Sequence, residues 1–142
     1  MKIEATKDFK RPRASVLQKF RDPERFEAVL KDLGAETERT SGLPQMAWAC
    51  SLKYRGEPRR FTLSVVEATP DETFSIRLDS ELALAEIGLN FYDLPDGGCR
   101  VISSAEITAH SVMAKLALQS IRLVRGKAEE RLSRFVGLVG RP

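Results

Sequence analysis

His110 is the only histidine of the chain, and Cys50 and Cys99 are its only cysteines. One imidazole and two widely separated thiols cannot assemble the N and S ligands of a zinc site, and no second imidazole exists for a histidine pair. No metal is expected. The cysteines fall inside strand-like runs without the close spacing of a redox motif, so they are expected to pack as small hydrophobes. Gly97-Gly98 sits in a hairpin-like turn and lacks both a following Gly-Lys-Ser/Thr and a dinucleotide pattern, which argues against nucleotide hydrolysis; no cofactor is called for. His110 lies near a strand-to-helix junction, where a structural or exposed imidazole is expected ahead of a general base. The remaining polar candidates divide by strand register. Ser80, Ser103 and Tyr54 fall on inward positions, whereas Arg77 and Glu106 fall on outward ones, and a single β-bulge would reverse either assignment. Facing a cavity, Arg77 could hold an acidic head and Glu106 could act as a base. On the surface they would make a cross-strand contact of small energetic value.

These side chains need elements to position them. Lys2 to Lys10 alternates, with Ile3, Ala5 and Phe9 on one side, and reads as a half-buried strand. Pro12 then opens a helical segment carrying Val16, Leu17 and Phe20. Asp22-Pro23 restarts a helix as N-cap and first-turn proline, with Phe26, Val29, Leu30 and Leu33 as its apolar stripe and Gly34 as its stop. From Ala35 onward the period becomes two, interrupted by turns at Ser41-Gly42-Leu43-Pro44, Arg55-Gly56-Glu57-Pro58, Thr69-Pro70-Asp71-Glu72 and Pro95-Asp96-Gly97-Gly98. Short connections between such strands imply an antiparallel meander with one buried face. Beyond Ser111, a plausible N-cap, Met113, Ala117, Ile121, Val124, Ala128, Leu132 and Phe135 follow steps of three and four. That spacing predicts one long helix from about Met113 to Val136, docked on the apolar face of the sheet and with Gly126 on its outer side.

A chain of 142 residues with 42% hydrophobic and 30% charged residues can bury one core without staples, so residues 1–142 are expected to form a single domain. The net charge of +3 is concentrated at the ends of the chain, with no consecutive basic block and no basic patch interleaved with aromatics. Nucleic acid is therefore not an expected partner, and membrane contact through the basic terminal helix is weakly supported. No apolar run resembles a signal peptide or a membrane span, which makes a cytoplasmic location the default expectation.

The order strand, helix pair, six-stranded meander and long terminal helix resembles the START-like (SRPBCC) superfamily, in particular its polyketide cyclase/dehydrase and lipid transport group. The resemblance runs from Lys2 to about Gly140 and rests on the strand to Phe9, the segment Pro12-Arg13-Ala14-Ser15-Val16-Leu17 leading to Asp22-Pro23, the turn Asp96-Gly97-Gly98, and the terminal helix. It implies an α+β helix-grip fold: a curved antiparallel sheet of about six to seven strands wraps a long C-terminal helix, with two short helices after the first strand. It also implies a cavity between sheet and helix for a lipid, quinone or polyketide-like molecule. On this topology Trp48, Leu63, Ile76, Leu78, Leu89 and Phe91 of the sheet, with Met113, Ala117, Ile121 and Val124 of the helix, are the expected ligand-binding residues. No catalytic set is evident, so binding or transport of a hydrophobic small molecule is the leading expectation. The alternatives are a cyclase- or dehydratase-type enzyme and a membrane-associated accessory protein.

Overall fold

A computed structural model describes the backbone of residues 1–54, 56–122 and 125–142; the side chains of residues 54, 120–122 and 125 lie outside that description. The elements in chain order are β1 (Lys2–Phe9), α1 (Arg13–Phe20), α2 (Pro23–Asp32), β2 (Ala35–Ser41), β3 (Gln45–Tyr54), β4 (Glu57–Thr69), β5 (Thr73–Ser80), β6 (Ala83–Asp93), β7 (Cys99–Ala109), α3 (Val112–Arg122) and α4 (Arg125–Gly140). One seven-stranded sheet gathers the strands in the order β1-β7-β6-β5-β4-β3-β2, and every neighbouring pair is antiparallel. The fold is α+β and has the helix-grip arrangement.

Local chemistry explains the boundaries. The Asp22 side chain accepts a hydrogen bond from the Glu24 backbone N–H at 3.0 Å, and Pro23 occupies the position where a missing N–H costs nothing. After α2, Gly34 takes φ +92°, a left-handed value that a side chain would disfavour. Ser111 Oγ accepts from the Ala114 N–H at 3.0 Å and caps α3.

Strand alternation places the apolar registers inward. Buried Met46, Trp48, Leu63, Val65, Phe74, Ile76, Leu89, Phe91 and Val101 form the floor of the core. Val16, Leu17 and Phe20 from α1 and Phe26, Val29 and Leu30 from α2 cover them. The Phe20 ring lies 5.2 Å from Phe91 and 5.9 Å from Phe74, centroid to centroid, while Phe26 lies 5.5 Å from Trp48 and 6.3 Å from Phe135. Each such ring, removed from water, stabilises the fold by roughly 1.5–3 kcal/mol. The helix pair therefore fills one half of the sheet.

The terminal helical region departs from expectation in its phase. α4 runs on to Gly140, buries Val136 and Val139, and packs on β1, α1 and α2. α3 meets β7 and α4, with Ala114 buried and Leu118 half-buried. Met113 is 76% exposed, and Ala117 is exposed as well. The inward stripe of α3 is thus displaced by one residue from the expected Met113–Ala117 stripe, a rotation of about 100°. The reason is visible in its composition: Val112, Met113, Ala114, Leu116, Ala117 and Leu118 leave little polar contrast to fix a face. Leu123 and Val124 lie outside the described residues, and with them the expected continuity of one helix.

Candidate functional site

Because α1 and α2 cover one half of the inner face, the other half, toward the β3–β4 and β5–β6 turns, is left less covered. Here the inward register continues through Cys50, Leu52, Phe61 and Leu78, of which Cys50 is buried and the others half-buried. They line a recess of about 880 Å³, whose rim adds Pro58, Arg59, Ser80 and Leu82 and whose wall also includes Ala49, Thr62 and Asp79 of the opposite register. Leu78 pairs with Ala85, and Ala85 with Ile107. Ala85 and Ile107 belong to an adjoining recess of about 320 Å³, bounded by Ile3, Ile87 and Ala105 of the sheet and by Lys127, Ala128, Arg131 and Leu132 of α4. Both volumes fall in the range of about 300–1,000 Å³ usual for small-molecule sites.

The expected ligand residues separate into three groups. Trp48, Leu63, Ile76, Leu89 and Phe91 are sealed in the core, Trp48 at 1% exposure. Leu78 lies on the wall of the larger recess. Met113 and Ala117 are exposed, while the Ile121 and Val124 side chains lie outside the described residues. Missed among the expected site residues were Cys50, Leu52, Phe61, Ala85, Ile87 and Ile107. They share the inward register of the expected ones; the missing knowledge was which half of that register the helix pair would occupy.

Ser80 and Asp79 are the engaged polar groups of the recess, whose lining also includes the charged side chains Arg59, Arg60 and Glu81. Ser80 Oγ donates to the Ala83 carbonyl at 3.1 Å and accepts from the Leu82 and Ala83 N–H groups, which closes the β5–β6 turn. His110 Nε2 sits 2.9 Å from Asp79 Oδ1, and the His110 backbone N–H donates to the Leu82 carbonyl at 3.0 Å, tying the start of α3 to the rim. Ser103, buried, donates to the Ala5 carbonyl at 3.1 Å and is structural. Arg77 and Glu106 are exposed on the outer register, as expected, with Glu86 paired opposite each of them. The Tyr54 side chain lies outside the described residues. No buried side-chain nitrogen or oxygen among the described residues lacks a hydrogen-bond partner.

Burial pushes the Cys50 thiol up to about 11 and raises Cys99 as well, so both stay protonated and poorly nucleophilic near neutral pH. Among the described residues no group of three or more His, Cys, Asp or Glu side chains is placed to hold a metal ion, and no helix is long and apolar enough to cross a membrane. What the recess offers is chiefly apolar area and shape.

No protein-family model matches the chain, and no curated protein matches its sequence. Solved structures do match in fold. A protein from Thermus thermophilus superposes with a TM-score of 0.72 at 15% identity, covering 99% of this chain and 94% of its own. The Zhui aromatase/cyclase from Streptomyces gives 0.69 at 11% identity, covering 98% and 93%. A START superfamily protein from Mycobacterium smegmatis gives 0.61 at 11% identity, covering 94% and 97%. Together with the seven-stranded sheet and the C-terminal helix, these likenesses establish that the chain has the START-like helix-grip fold.

Proposed function

We propose that this protein binds a hydrophobic small molecule of lipid, quinone or polyketide-like character in the half of the sheet that α1 and α2 leave open. The observation that carries the reading is the pair of adjoining recesses over Leu78, Ala85 and Ile107, whose walls are largely apolar. Burying apolar ligand area there would stabilise the complex by roughly 25 cal/mol per Å² before the costs of association are deducted. The sealed residues Leu63 and Ile76 sit one register step beneath and act as a rigid backing. Fold neighbours described as an aromatase/cyclase and as a START superfamily protein support the same ligand class.

Native mass spectrometry of protein purified without detergent tests this reading. A retained apolar adduct, released when the protein unfolds, is the expected result. Protein that emerges empty and fails to take up any long-chain lipid, quinone or aromatic polyketide would overturn it.

A second reading, a cyclase- or dehydratase-type enzyme acting on such a ligand, is favoured by one observation. Asp79 on the recess wall orients His110 at 2.9 Å, which supplies a single acid–base couple at the rim. In that case His110→Gln would leave ligand binding intact and remove turnover of the bound molecule. Unchanged turnover in the variant would eliminate His110 as the proton-transfer group.

A further inference from the structure

The end of the molecule opposite the apolar recesses carries a second concavity of different chemistry. β1 ends at Phe9 beside Cys99, the start of β7, whereas the apolar recess lies where β5 ends and β6 begins. Around Phe9, a recess of about 510 Å³ is lined by Lys7, Lys10 and Arg11 from the β1 end and by Arg134 and Arg141 from the α4 end. Phe9, Gly137 and Leu138 supply its uncharged wall.

The topology forces this convergence. Lys7 lies in β1 opposite Val101, a buried residue, so its stem points to the inner side where α4 packs. Gly137 permits the approach: a Cβ at that position would stand 3.1 Å from Lys7 Cε. Arg134, Gly137, Leu138 and Arg141 follow steps of three and four and share one face of the helical end.

Two ordinary explanations account for only part of the charge. Arg11 donates to the Gly140 carbonyl and so satisfies one part-buried acceptor at the end of α4. That helix end carries a partial charge of about −0.5, enough to offset half of one cation. Asp8 is the one acidic side chain on the recess, and Arg100 already holds it in a two-pronged ion pair at 2.8 and 2.9 Å. Glu130, one turn before Arg134, does not reach the lining. Even if a carboxylate at Pro142 is counted against them, the cations leave a clear positive excess.

We infer that the recess formed by Lys7, Lys10, Arg11, Arg134 and Arg141 is a binding site for a multiply charged phosphoryl group. Three guanidiniums and two ammoniums match an anion with several oxygens and more than one negative charge. Guanidinium forks pair with phosphate oxygens two at a time, and the Lys side chains contribute compact charges. The apolar wall beneath them reduces solvent screening and focuses the field outward. A monocarboxylate would neutralise only one of these cations, which is why the phosphoryl class is preferred. The group could be presented by a soluble molecule or by a phospholipid headgroup, since the recess reads only the anion.

The probe is inorganic pyrophosphate, titrated calorimetrically into the full chain at about 0.15 M salt, where long-range attraction is largely screened. Saturable binding at one site is expected. It should weaken by about tenfold or more in the double variant Lys7→Gln/Arg134→Gln, and remain unchanged in Lys31→Gln/Lys53→Gln, two exposed lysines that line none of the three recesses. In the wild type, amide chemical shifts should move in residues 7–11 and 134–142, which locates the site without relying on any variant. Vesicles of phosphatidylcholine containing phosphatidic acid, with pyrophosphate as competitor, separate the sources. Competed vesicle binding identifies a headgroup, and pyrophosphate binding without vesicle binding identifies a soluble ligand. Absence of saturable binding to either probe, equal weakening in both double variants, or shifts confined to other residues would overturn the inference.

Discussion

Gly140 is the position where a single atom decides the packing of the closed end. A Cβ there would stand 2.5 and 2.7 Å from two Phe9 ring carbons and 3.3 Å from Phe20, whose ring is held by Phe74 and Phe91. Phe20 cannot retreat without disturbing Phe74 and Phe91, and Phe9 would have to swing toward the recess it lines, so Gly140→Ala is expected to destabilise the fold by about 1–3 kcal/mol in urea titration. Charge acts at the same scale on the other side of α1. Arg21 makes hydrogen bonds of 2.8 and 2.6 Å to Glu67 and a further one of 2.8 Å to Asp71. The Arg21 hydrogen bonds hold the Glu67 carboxyl below its ordinary value of 4.5, with desolvation opposing and the Asp71 backbone N–H assisting. Because the folded value is the depressed one, the pair's contribution is fully present above about 4.5 and is lost as pH falls through the folded value. Glu27 and Asp8, held down chiefly by hydrogen bonds from Arg39 and Arg100 respectively, add to the same acid limb. Glu67→Gln should therefore lower stability at pH 7 while flattening its decline below about 4.5, as read by unfolding at a series of pH values.

At the scale of elements, the two ends of the helical complement behave differently. Phe26 of α2 is fully buried between Trp48 and Phe135, whereas Met113 of α3 stands largely in solvent. Phe26→Ala should cost about 3–5 kcal/mol, and Met113→Ser should stay within about 0.5 kcal/mol of wild type. A large loss in the Met113 variant would mean that α3 packs its other face inward. This contrast marks the limit of what could be read in the chain. Strand boundaries were legible because Gly and Pro punctuate a strict alternation from Trp48 to Ile107, and α2 because Asp22-Pro23 announces its start. The register was legible too, since Ser103 and Leu78 turn inward and Arg77 and Glu106 outward. The face of α3 was not, because six of its first seven residues are apolar and no stripe stands out. The location of the recess was hidden for a related reason. Trp48 and Ile76 share the inward register of Cys50 and Leu78, and only the placement of Phe20 and Phe26 determines which half of that register is filled.

Across the whole molecule, the helix pair seals one half of the inner face with interlocking aromatics and leaves the other half bounded by Leu78, Ala85 and Ile107. A packed closed half gives a binding surface a rigid support, and an apolar open half gives it something to bind. The measurement that bears most directly on this division is a fluorescence titration with neutral N-phenylnaphthylamine, run on the wild type and on Ala85→Trp, with urea unfolding of both proteins in parallel. Ala85 lines the smaller recess and pairs with Leu78 on the wall of the larger one, so an indole there would fill the proposed ligand space rather than the core. Binding should weaken by about tenfold or more while stability changes by less than about 1 kcal/mol. Equal affinity in the two proteins, or a loss of stability of about 1–3 kcal/mol from overpacking, would show that the open half holds no ligand site.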